Sequence, residues 1–196
     1  MSMLNRHRPF TLFSLLTAAL MLGLASPSMH AADAREQVLL KTSKGDIVLE
    51  LYADQAPETV KNFLRLVDSG YYTDLIFHRV IPGFMIQTGG YDARLNFSDP
   101  PRQVPNESDN ALKNLRGFVA MARKNDPDSA TSQFYINVRS NPSLDPKPGR
   151  PGYTVFGRVI SGMEVVVEIE NTPTQRRNGM ADVPVEAVVI TSAKRL

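Results

Sequence analysis

The chain of 196 residues contains no cysteine, no tryptophan and only three histidines. Without cysteine no disulfide can form, so the hydrophobic core has to hold the fold by itself. Two of the histidines, His7 and His30, lie near the N-terminus, which leaves His78 for the rest of the chain. The usual ligand sets for zinc, copper and haem therefore cannot be assembled, and we expect no metal and no cofactor.

Several patterns of common enzyme chemistry are also missing. No Gly-x-Ser-x-Gly segment accompanies His78, which argues against a serine triad. The chain has no Gly-x-Gly-x-x-Gly segment and no phosphate-binding loop ending in Gly-Lys-Ser/Thr. Asp126 and Asp128 resemble part of a calcium loop but lack its glycine and distal glutamate, so we interpret them as a solvated loop. The remaining chemistry has to rely on hydrogen bonds, shape and one cation.

The N-terminus has the order of a secretory signal peptide. A basic region at residues 6–8 precedes an apolar run at 10–25, and small residues follow. This order predicts a signal peptide at 1–32, cleaved near 32–34, before a single domain at 35–196. A membrane anchor is one alternative, although the run is short of the roughly 20 apolar residues that a span needs. A first core helix is another, although the run lacks a polar face.

Cleavage of this segment would change the charge balance of the protein. Removing Arg6 and Arg8 from the 22 basic residues leaves 20, equal to the 20 acidic residues. A nearly neutral mature protein is not typical of a nucleic-acid-binding surface, so we expect no nucleic-acid partner. We also expect no stable membrane association after signal cleavage.

Hydrophobic patterns predict a mainly β domain with many short strands. Two strands enclose the turn at residues 43–46, and the remaining runs are rich in β-branched and aromatic residues. The pattern favours a closed eight-stranded antiparallel β-barrel capped by two α-helices over an alternating βαβ fold. The eight predicted strands are 38–42, 47–51, 75–80, 84–88, 117–122, 133–138, 154–160 and 185–191.

Two segments change to a helical period. Pro57 can open the first helix, and Gly70 is a suitable end. Ser161 and Glu164 have the spacing of a capping box at the start of the second helix. The face of the first helix that should be buried comprises Val60, Phe63, Leu64 and Val67.

The segment that follows the third predicted strand combines unusual residue types. Residues 82–83 are Pro-Gly, a turn that should place the flanking strands side by side. Side chains alternate along a strand, so Met85 shares a face with Gln87, and Phe77 with Arg79. A cation, an amide and apolar groups would meet on one surface if the register allows. Singly, each has an ordinary interpretation as a surface ion pair, core residue or solvated polar group.

Residues 77–90 resemble the signature of the cyclophilins, a family of peptidyl-prolyl isomerases, almost residue for residue. Residues 117–123, 129–136 and 155–159 agree with further blocks of that family. The resemblance runs from about Val38 to the C-terminus and implies the same eight-stranded barrel with two helices. The export signal and the Ser-Ala-Thr-Ser-Gln-Phe form are most similar to the periplasmic cyclophilins of Gram-negative bacteria, so we expect a periplasmic protein.

The resemblance also implies a role for each site residue. Arg79 corresponds to the catalytic arginine, which donates a hydrogen bond to the prolyl nitrogen of a twisted amide. His78 is adjacent but on the opposite strand face, and we interpret it as structural. The implied substrate-binding residues are the pocket walls Phe84, Met85 and Leu144, the floor Tyr135, the carbonyl-binding Gln87, the backbone-contact positions Ala122 and Arg123, the rim residue Gln133 and the pocket-edge residue Tyr153.

The predicted function is peptidyl-prolyl cis-trans isomerisation that helps exported proteins to fold. Its partners would be proline-containing peptides and unfolded polypeptide clients. The alternative is a proline-peptide-binding chaperone module whose isomerase activity is incidental. A small-ligand barrel carrier is a third class, but the bulky strand residues predict a filled interior. We expect a monomer.

Three residues depart from the family pattern. Many cyclophilins have a tryptophan where this chain has Ser143, and because that indole contributes to cyclosporin binding we expect weak cyclosporin binding. Tyr135 replaces a phenylalanine, and its hydroxyl needs a partner or solvent. Arg123 replaces a common asparagine and is expected to add charge at the rim.

Overall fold

The computed structural model of the protein describes residues 35–98, 100 and 102–196. The predicted signal peptide and its cleavage site lie outside the described residues. Neither α-helix in this part of the chain is both long and apolar enough to cross a membrane. The elements are β1 Gln37–Thr42, β2 Gly45–Leu51, α1 Pro57–Asp68, β3 Arg79–Ile81, β4 Met85–Thr88, β5 Phe118–Met121, β6 Phe134–Asn137, the 3₁₀ helix Pro142–Leu144, β7 Val155–Ser161, α2 Met163–Glu170, β8 Thr174–Arg177, β9 Met180–Pro184 and β10 Ile190–Arg195.

Eight strands form one antiparallel sheet in the order β10-β1-β2-β7-β5-β6-β4-β3. The predicted mainly β class, the eight antiparallel strands and the two α-helices are confirmed. The predicted closure is wrong, because within the described chain the sheet is an open half-barrel with β10 and β3 at its edges. The segments that approach each other across the gap are 74–77 and 188–190, which share three backbone hydrogen bonds. Residues 74–77 precede β3, and residues 188–190 reach only the first residue of β10, so no ladder closes the sheet.

The C-terminal region differs most from the prediction. The last strand begins at Ile190 rather than Val185, and Val185 is exposed. The hairpin formed by β8 and β9 was not predicted. Its first strand, Thr-Gln-Arg-Arg, is almost wholly exposed and polar, so it has no hydrophobic alternation that a sequence pattern could detect.

The first helix follows the prediction closely. It spans Pro57–Asp68 and buries the predicted face, with Phe63 at the centre of an aromatic cluster. The Phe63 ring centroid lies 5.3 Å from that of Tyr72, 5.4 Å from that of Phe134 and 5.2 Å from that of Phe156. This cluster joins the helix to β6 and β7 and so fixes the inner face of the sheet.

The start of α1 is capped from a distant loop. Ala56 at the N-cap has no side chain that could accept a hydrogen bond. The Glu107 carboxylate accepts hydrogen bonds from the backbone N–H of Glu58 at 3.0 Å and of Thr59 at 2.9 Å. It also accepts one from the Thr59 hydroxyl at 2.6 Å. A carboxylate at this end of a helix is favourable because the helix dipole is positive there.

The predicted capping box of α2 is wrong. Its N-cap is Gly162 rather than Ser161, with φ at 88° and no side-chain cap. A Cβ at this position would lie 2.2 Å from the carbonyl oxygen of Asp46. The close approach of α2 to the β1–β2 hairpin therefore requires glycine, and this tertiary contact sets where the helix begins.

Candidate active site

The outer face of the sheet carries a second, smaller hydrophobic cluster. Alternation along β4, β5 and β6 sends one set of side chains to the main core and the other set outward. The outward set includes Met85, Ala120 and Tyr135, which pack with Val155 of β7. Phe84, Ala122, Leu144 and Tyr153, all partly buried, surround this cluster. The result is an apolar surface with a polar border.

The β3–β4 hairpin positions the cation and the amide. The Phe84 N–H donates to the Ile81 carbonyl at 3.0 Å across Pro82-Gly83, and Gly83 has φ at 67°. Proline and then a positive-φ glycine are the central residues of a type II turn. The register then pairs Arg79 with Gln87. The Arg79 guanidinium donates to Gln87 Oε1 at 3.5 Å, so the predicted meeting of cation and amide is confirmed.

One neighbour of this hairpin departs from the prediction. Phe77 is fully buried in the main core and does not share a surface with Arg79. The reason is that residues 77–78 lie outside strand β3, so the expected alternation does not extend back to them. His78 is also buried, and it does not line the cleft.

The structure brings nine of the ten predicted site residues around one cavity of about 290 Å³. This cavity, which we call the Arg79 cleft, opens between the hairpin and the loop that contains the 3₁₀ helix. The tenth residue, Gln133, lies just beyond it. The lining residues are Arg79, Phe84, Met85, Gln87, Ala122, Arg123, Tyr135, Leu144 and Tyr153.

A second, larger cavity adjoins the Arg79 cleft. Its volume is about 470 Å³, and it shares Gln87, Ala122 and Arg123 with the cleft. Gln133 lines this side and accepts a hydrogen bond from Gln87 Nε2 at 2.9 Å. Sequence reasoning did not assign the other residues that line this cavity to a site. They are Phe97, Pro100, Gln103, Lys124, Ser129 and Thr131.

The floor of the cleft has a polar anchor beneath it. Tyr135 is buried, and its hydroxyl donates to Asn114 Oδ1 at 2.8 Å, so the partner that this hydroxyl needs is present. Asn114 in turn donates through Nδ2 to Asp145 Oδ1 at 3.0 Å. Burial raises the pKa of Tyr135 well above its ordinary value, so the hydroxyl keeps its proton and remains a donor.

His78 lies behind the hairpin as a neutral side chain. Burial lowers its pKa from 6.5 to about 4, outweighing the nearby Ile76 backbone and Gln133 side chain, which favour the charged form. Its ring centroid lies 4.7 Å from that of Tyr91. Within the described part of the chain its Nδ1 has no hydrogen-bond partner. These features agree with the structural interpretation of His78.

The donor groups at the cleft suit hydrogen bonding to an amide. Among the residues that the structure describes, no group of three His, Cys, Asp or Glu side chains lies close enough to hold a metal ion. What the cleft offers is an apolar floor, an amide and a guanidinium at its border. Such a site can bind a small apolar ring and stabilise an electron pair beside it.

Comparisons with known proteins identify the class. Residues 37–195 match the family described as cyclophilin type peptidyl-prolyl cis-trans isomerase/CLD. The chain therefore belongs to the cyclophilin-type peptidyl-prolyl cis-trans isomerases, and it is an enzyme of that activity.

Bacterial relatives cover almost the whole described domain. The chain is 49% identical over 166 residues to peptidyl-prolyl cis-trans isomerase A of Dickeya dadantii, covering 84% of this chain and 86% of that one. It is 51% identical over 162 residues to the isomerase cyp18 of Streptomyces antibioticus, covering 81% and 98%. Isomerase B of Escherichia coli K12 is 46% identical over 159 residues, with 79% and 96% covered.

Solved structures support the same fold. The cyclophilin type peptidyl-prolyl cis-trans isomerase of Cryptosporidium parvum superposes with a TM-score of 0.70 at 32% identity, covering 83% of this chain and 98% of that one. A structure of that protein in the presence of the dipeptide Ala-Pro superposes with a TM-score of 0.67, covering 80% and 96%.

Proposed function

We propose that Arg79 is the catalytic residue of this isomerase and that the Arg79 cleft, from here on called the proline cleft, holds the proline ring of the substrate. One observation carries the assignment. Among the described residues the Arg79 side chain makes one hydrogen bond, the 3.5 Å contact with Gln87, and no ion pair. A guanidinium has five N–H donors in a planar fork, so most of them are free to meet a substrate.

The reaction needs a hydrogen-bond donor rather than a nucleophile. Resonance makes the peptide C–N bond partly double, with a rotation barrier of about 18–20 kcal/mol. At the twisted state the prolyl nitrogen regains its lone pair, and an Arg79 N–H can donate to it. The planar cis and trans forms do not offer this lone pair, so the hydrogen bond favours the transition state selectively. Each tenfold gain in rate requires about 1.4 kcal/mol of this preference.

The rest of the cleft has the shape and polarity to orient a proline-containing peptide. Phe84, Met85 and Leu144 supply apolar walls, and three buried methylenes of the ring would contribute roughly 2 kcal/mol at ~0.8 kcal/mol each. Gln87 keeps one amide N–H for the substrate carbonyl, because its Nε2 has two donors and one of them is bound to Gln133. The relative crystallised in the presence of Ala-Pro supports a proline peptide as ligand.

Replacing Arg79 tests whether the site catalyses isomerisation or only binds peptides. We expect Arg79→Ala to lower kcat/KM for a proline peptide by about a thousandfold, since one desolvated charged hydrogen bond plus orientation is worth about 4 kcal/mol. The measurement is a peptide isomerisation assay together with proline-limited refolding. Lys61→Ala, an exposed change on α1, is the matched control for loss of one positive charge. Equal rates for Arg79→Ala and the wild type would contradict the assignment and favour the chaperone alternative.

We also propose that the enzyme acts on exported proteins in the periplasm. The support is the order of basic, apolar and small residues at 1–34, which is typical of a signal peptide. Expression in a Gram-negative host should place the mature protein in the periplasmic fraction, with an N-terminus near residues 33–35. An intact Met1 on a cytoplasmic form would contradict export.

Weak cyclosporin binding is a further proposal about the same cleft. Ser143, next to the wall residue Leu144, is exposed and has no indole N–H to donate. Titration of the wild type and of Ser143→Trp with cyclosporin compares the two side chains directly. Tighter binding by Ser143→Trp is expected, and equal, tight binding by both proteins would show that this position does not control inhibition.

A further inference from the structure

Arg123, at the border between the two cavities, is bound to the protein itself through most of its donors. Its Nε donates to the Gly152 carbonyl at 3.3 Å, and one terminal nitrogen donates to the Pro151 carbonyl at 2.9 Å. The other terminal nitrogen donates to the carbonyls of Lys124 at 2.9 Å and Asn125 at 3.2 Å. Four of the five N–H donors are thereby engaged, and they join two separate loops.

The same guanidinium packs on an aromatic wall of the proline cleft. Its central carbon lies 4.7 Å from the centroid of the Tyr153 ring, a distance typical of a cation–π contact. The Tyr153 ring meets the floor ring of Tyr135 edge to face, with centroids 6.0 Å apart. The backbone N–H of Tyr153 donates to the carbonyl of the wall residue Leu144 at 3.1 Å. Tyr153 thus connects the wall, the floor and Arg123.

These contacts change the expectation that Arg123 adds a free charge at the rim. Among the described residues no carboxylate forms an ion pair with it, and its donors point to backbone carbonyls. The dipoles of these four carbonyls reduce the field that the guanidinium presents to a ligand. A side chain held in this way has little freedom to follow a charged group on a substrate.

We propose that Arg123 is a positioning residue that holds Tyr153 as a wall of the proline cleft, and so sets how tightly the substrate is held. The inference rests on the proposed function, in which the cleft binds the proline ring. Arg123 would act on affinity through Tyr153, whereas Arg79 acts on the rate of rotation. Arg123 would not recognise the charge of the substrate.

Lysine cannot take over this role. Its ammonium is a single point with three donors, whereas the planar guanidinium reaches carbonyls of two loops at once. If Arg123 acted only through its charge, lysine would be an adequate replacement. Arg123→Lys therefore distinguishes geometry from charge.

The experiment compares affinity and rotation rate on the same peptides. Peptides with Glu, Gln or Lys before the Ala-Pro unit are titrated by NMR, and exchange spectroscopy at saturation gives the rotation rate of the bound peptide. We expect Arg123→Ala and Arg123→Lys each to raise Kd about tenfold, equally for all three peptides. The rotation rate at saturation should stay within about twofold of the wild type, because Arg79 is untouched. Lys61→Ala is the control.

A double-mutant cycle tests the route through Tyr153. In a Tyr153→Ala background, Arg123→Ala should cause less than about a twofold further change in Kd, because the two side chains act as one unit. Circular dichroism will show whether Arg123→Ala folds. If it does not, Arg123→Gln, which fills much of the same volume, replaces it, and we expect the same changes in Kd and rotation rate.

Four results would overturn the inference. An unchanged Kd in Arg123→Ala, or a loss confined to the Glu peptide, would mean that Arg123 does not position Tyr153 or acts as a charge. Full additivity with Tyr153→Ala would mean that the two side chains act separately. A wild type that binds none of the peptides would overturn the proposed function and this inference together, whereas the other results leave the proposed function in place.

Discussion

Two arginines flank the proline cleft, and they are in opposite hydrogen-bonding states. Among the described residues, Arg79, in β3, makes one long side-chain hydrogen bond, to Gln87. Arg123, just after β5, donates to four backbone carbonyls and packs on Tyr153. The two side chains are chemically identical, so their roles differ because of the acceptors within reach. A guanidinium with most of its N–H donors unused can take part in a reaction. A guanidinium with four of its five donors engaged instead stabilises the local structure.

The difference arises from where each arginine lies on the sheet. Arg79 pairs with Gln87 inside a ladder, where the neighbouring carbonyls of β4 already accept hydrogen bonds from β3 and β6. Arg123 follows the end of β5, where residues 124–125 and 151–152 present carbonyls outside any ladder. Strand ends thus supply acceptors that strand interiors lack.

Among the tests of this contrast between the two arginines, the largest expected effect is that of lysine at Arg79. Arg79→Lys keeps a positive charge but loses the planar fork, and we expect the rotation rate at saturation to fall about a hundredfold, or about 2.7 kcal/mol. The Kd for the peptide should change less than about threefold. NMR exchange and titration give the two quantities separately.

Comparison with Arg123→Lys makes this test specific. The two variants should have opposite profiles, with rate lost in one and affinity lost in the other. If both variants lost only affinity, Arg79 would be a second positioning residue and the contrast between the two arginines would disappear.

The next largest expected effect concerns pH. Neither guanidinium titrates in the physiological range, so the titrating group considered is His78. The folded-state pKa of His78, about 4, lies below its unfolded value of 6.5. The unfolded chain therefore binds the proton first, and stability that is present above pH 6.5 is lost as the pH falls toward 4. We expect the free energy of unfolding to drop by about 2 kcal/mol between pH 8 and pH 5. Denaturant titrations at several pH values measure it.

The control for this pH effect is His78→Gln, which removes the titrating group. Its unfolding free energy should vary less over the same range, where aspartate and glutamate remain largely ionised. The catalysed rate of the folded wild type should stay nearly constant from pH 8 to pH 5.5. A steep fall in that rate, reversed in His78→Gln, would place His78 in the reaction rather than in the structure.

The smallest expected effect is at Tyr135, the floor of the proline cleft. Tyr135→Phe removes the hydrogen bond to Asn114 but keeps the ring, and Asn114 Oδ1 still accepts from Asn137 at 3.3 Å. We expect a loss of stability of about 1 kcal/mol and less than about a twofold change in Kd. Thermal unfolding and peptide titration are the measurements. A tenfold weaker Kd at unchanged stability would mean that the hydroxyl contacts the substrate.

Local sequence patterns predicted the elements near the site well. Pro82-Gly83 predicted a turn, and the observed register places Arg79 opposite Gln87. The spacing of Val60, Phe63, Leu64 and Val67 predicted the buried face of α1. Such features depend on residues only a few positions apart, so their physical cause is contained in the sequence pattern.

Features that depend on distant residues were not predictable in the same way. The N-terminus of α1 is capped by Glu107, 48 and 49 positions away from the N–H groups that it accepts. The start of α2 is set by the approach of Gly162 to Asp46. The open sheet follows from where the two edge strands begin. Each outcome is decided by which segments meet in space.

The opposite states of the two arginines show the same division. The sequence by itself determined that cysteine takes no part in the chemistry and that His78 is the one histidine after residue 34. It also predicted that arginine, glutamine and apolar residues would form a cleft. Resemblance to a family even supplied the position of Arg123. Only the tertiary structure decided that its donors would meet four carbonyls, because those carbonyls belong to loops brought together by the pairing of β5 with β7.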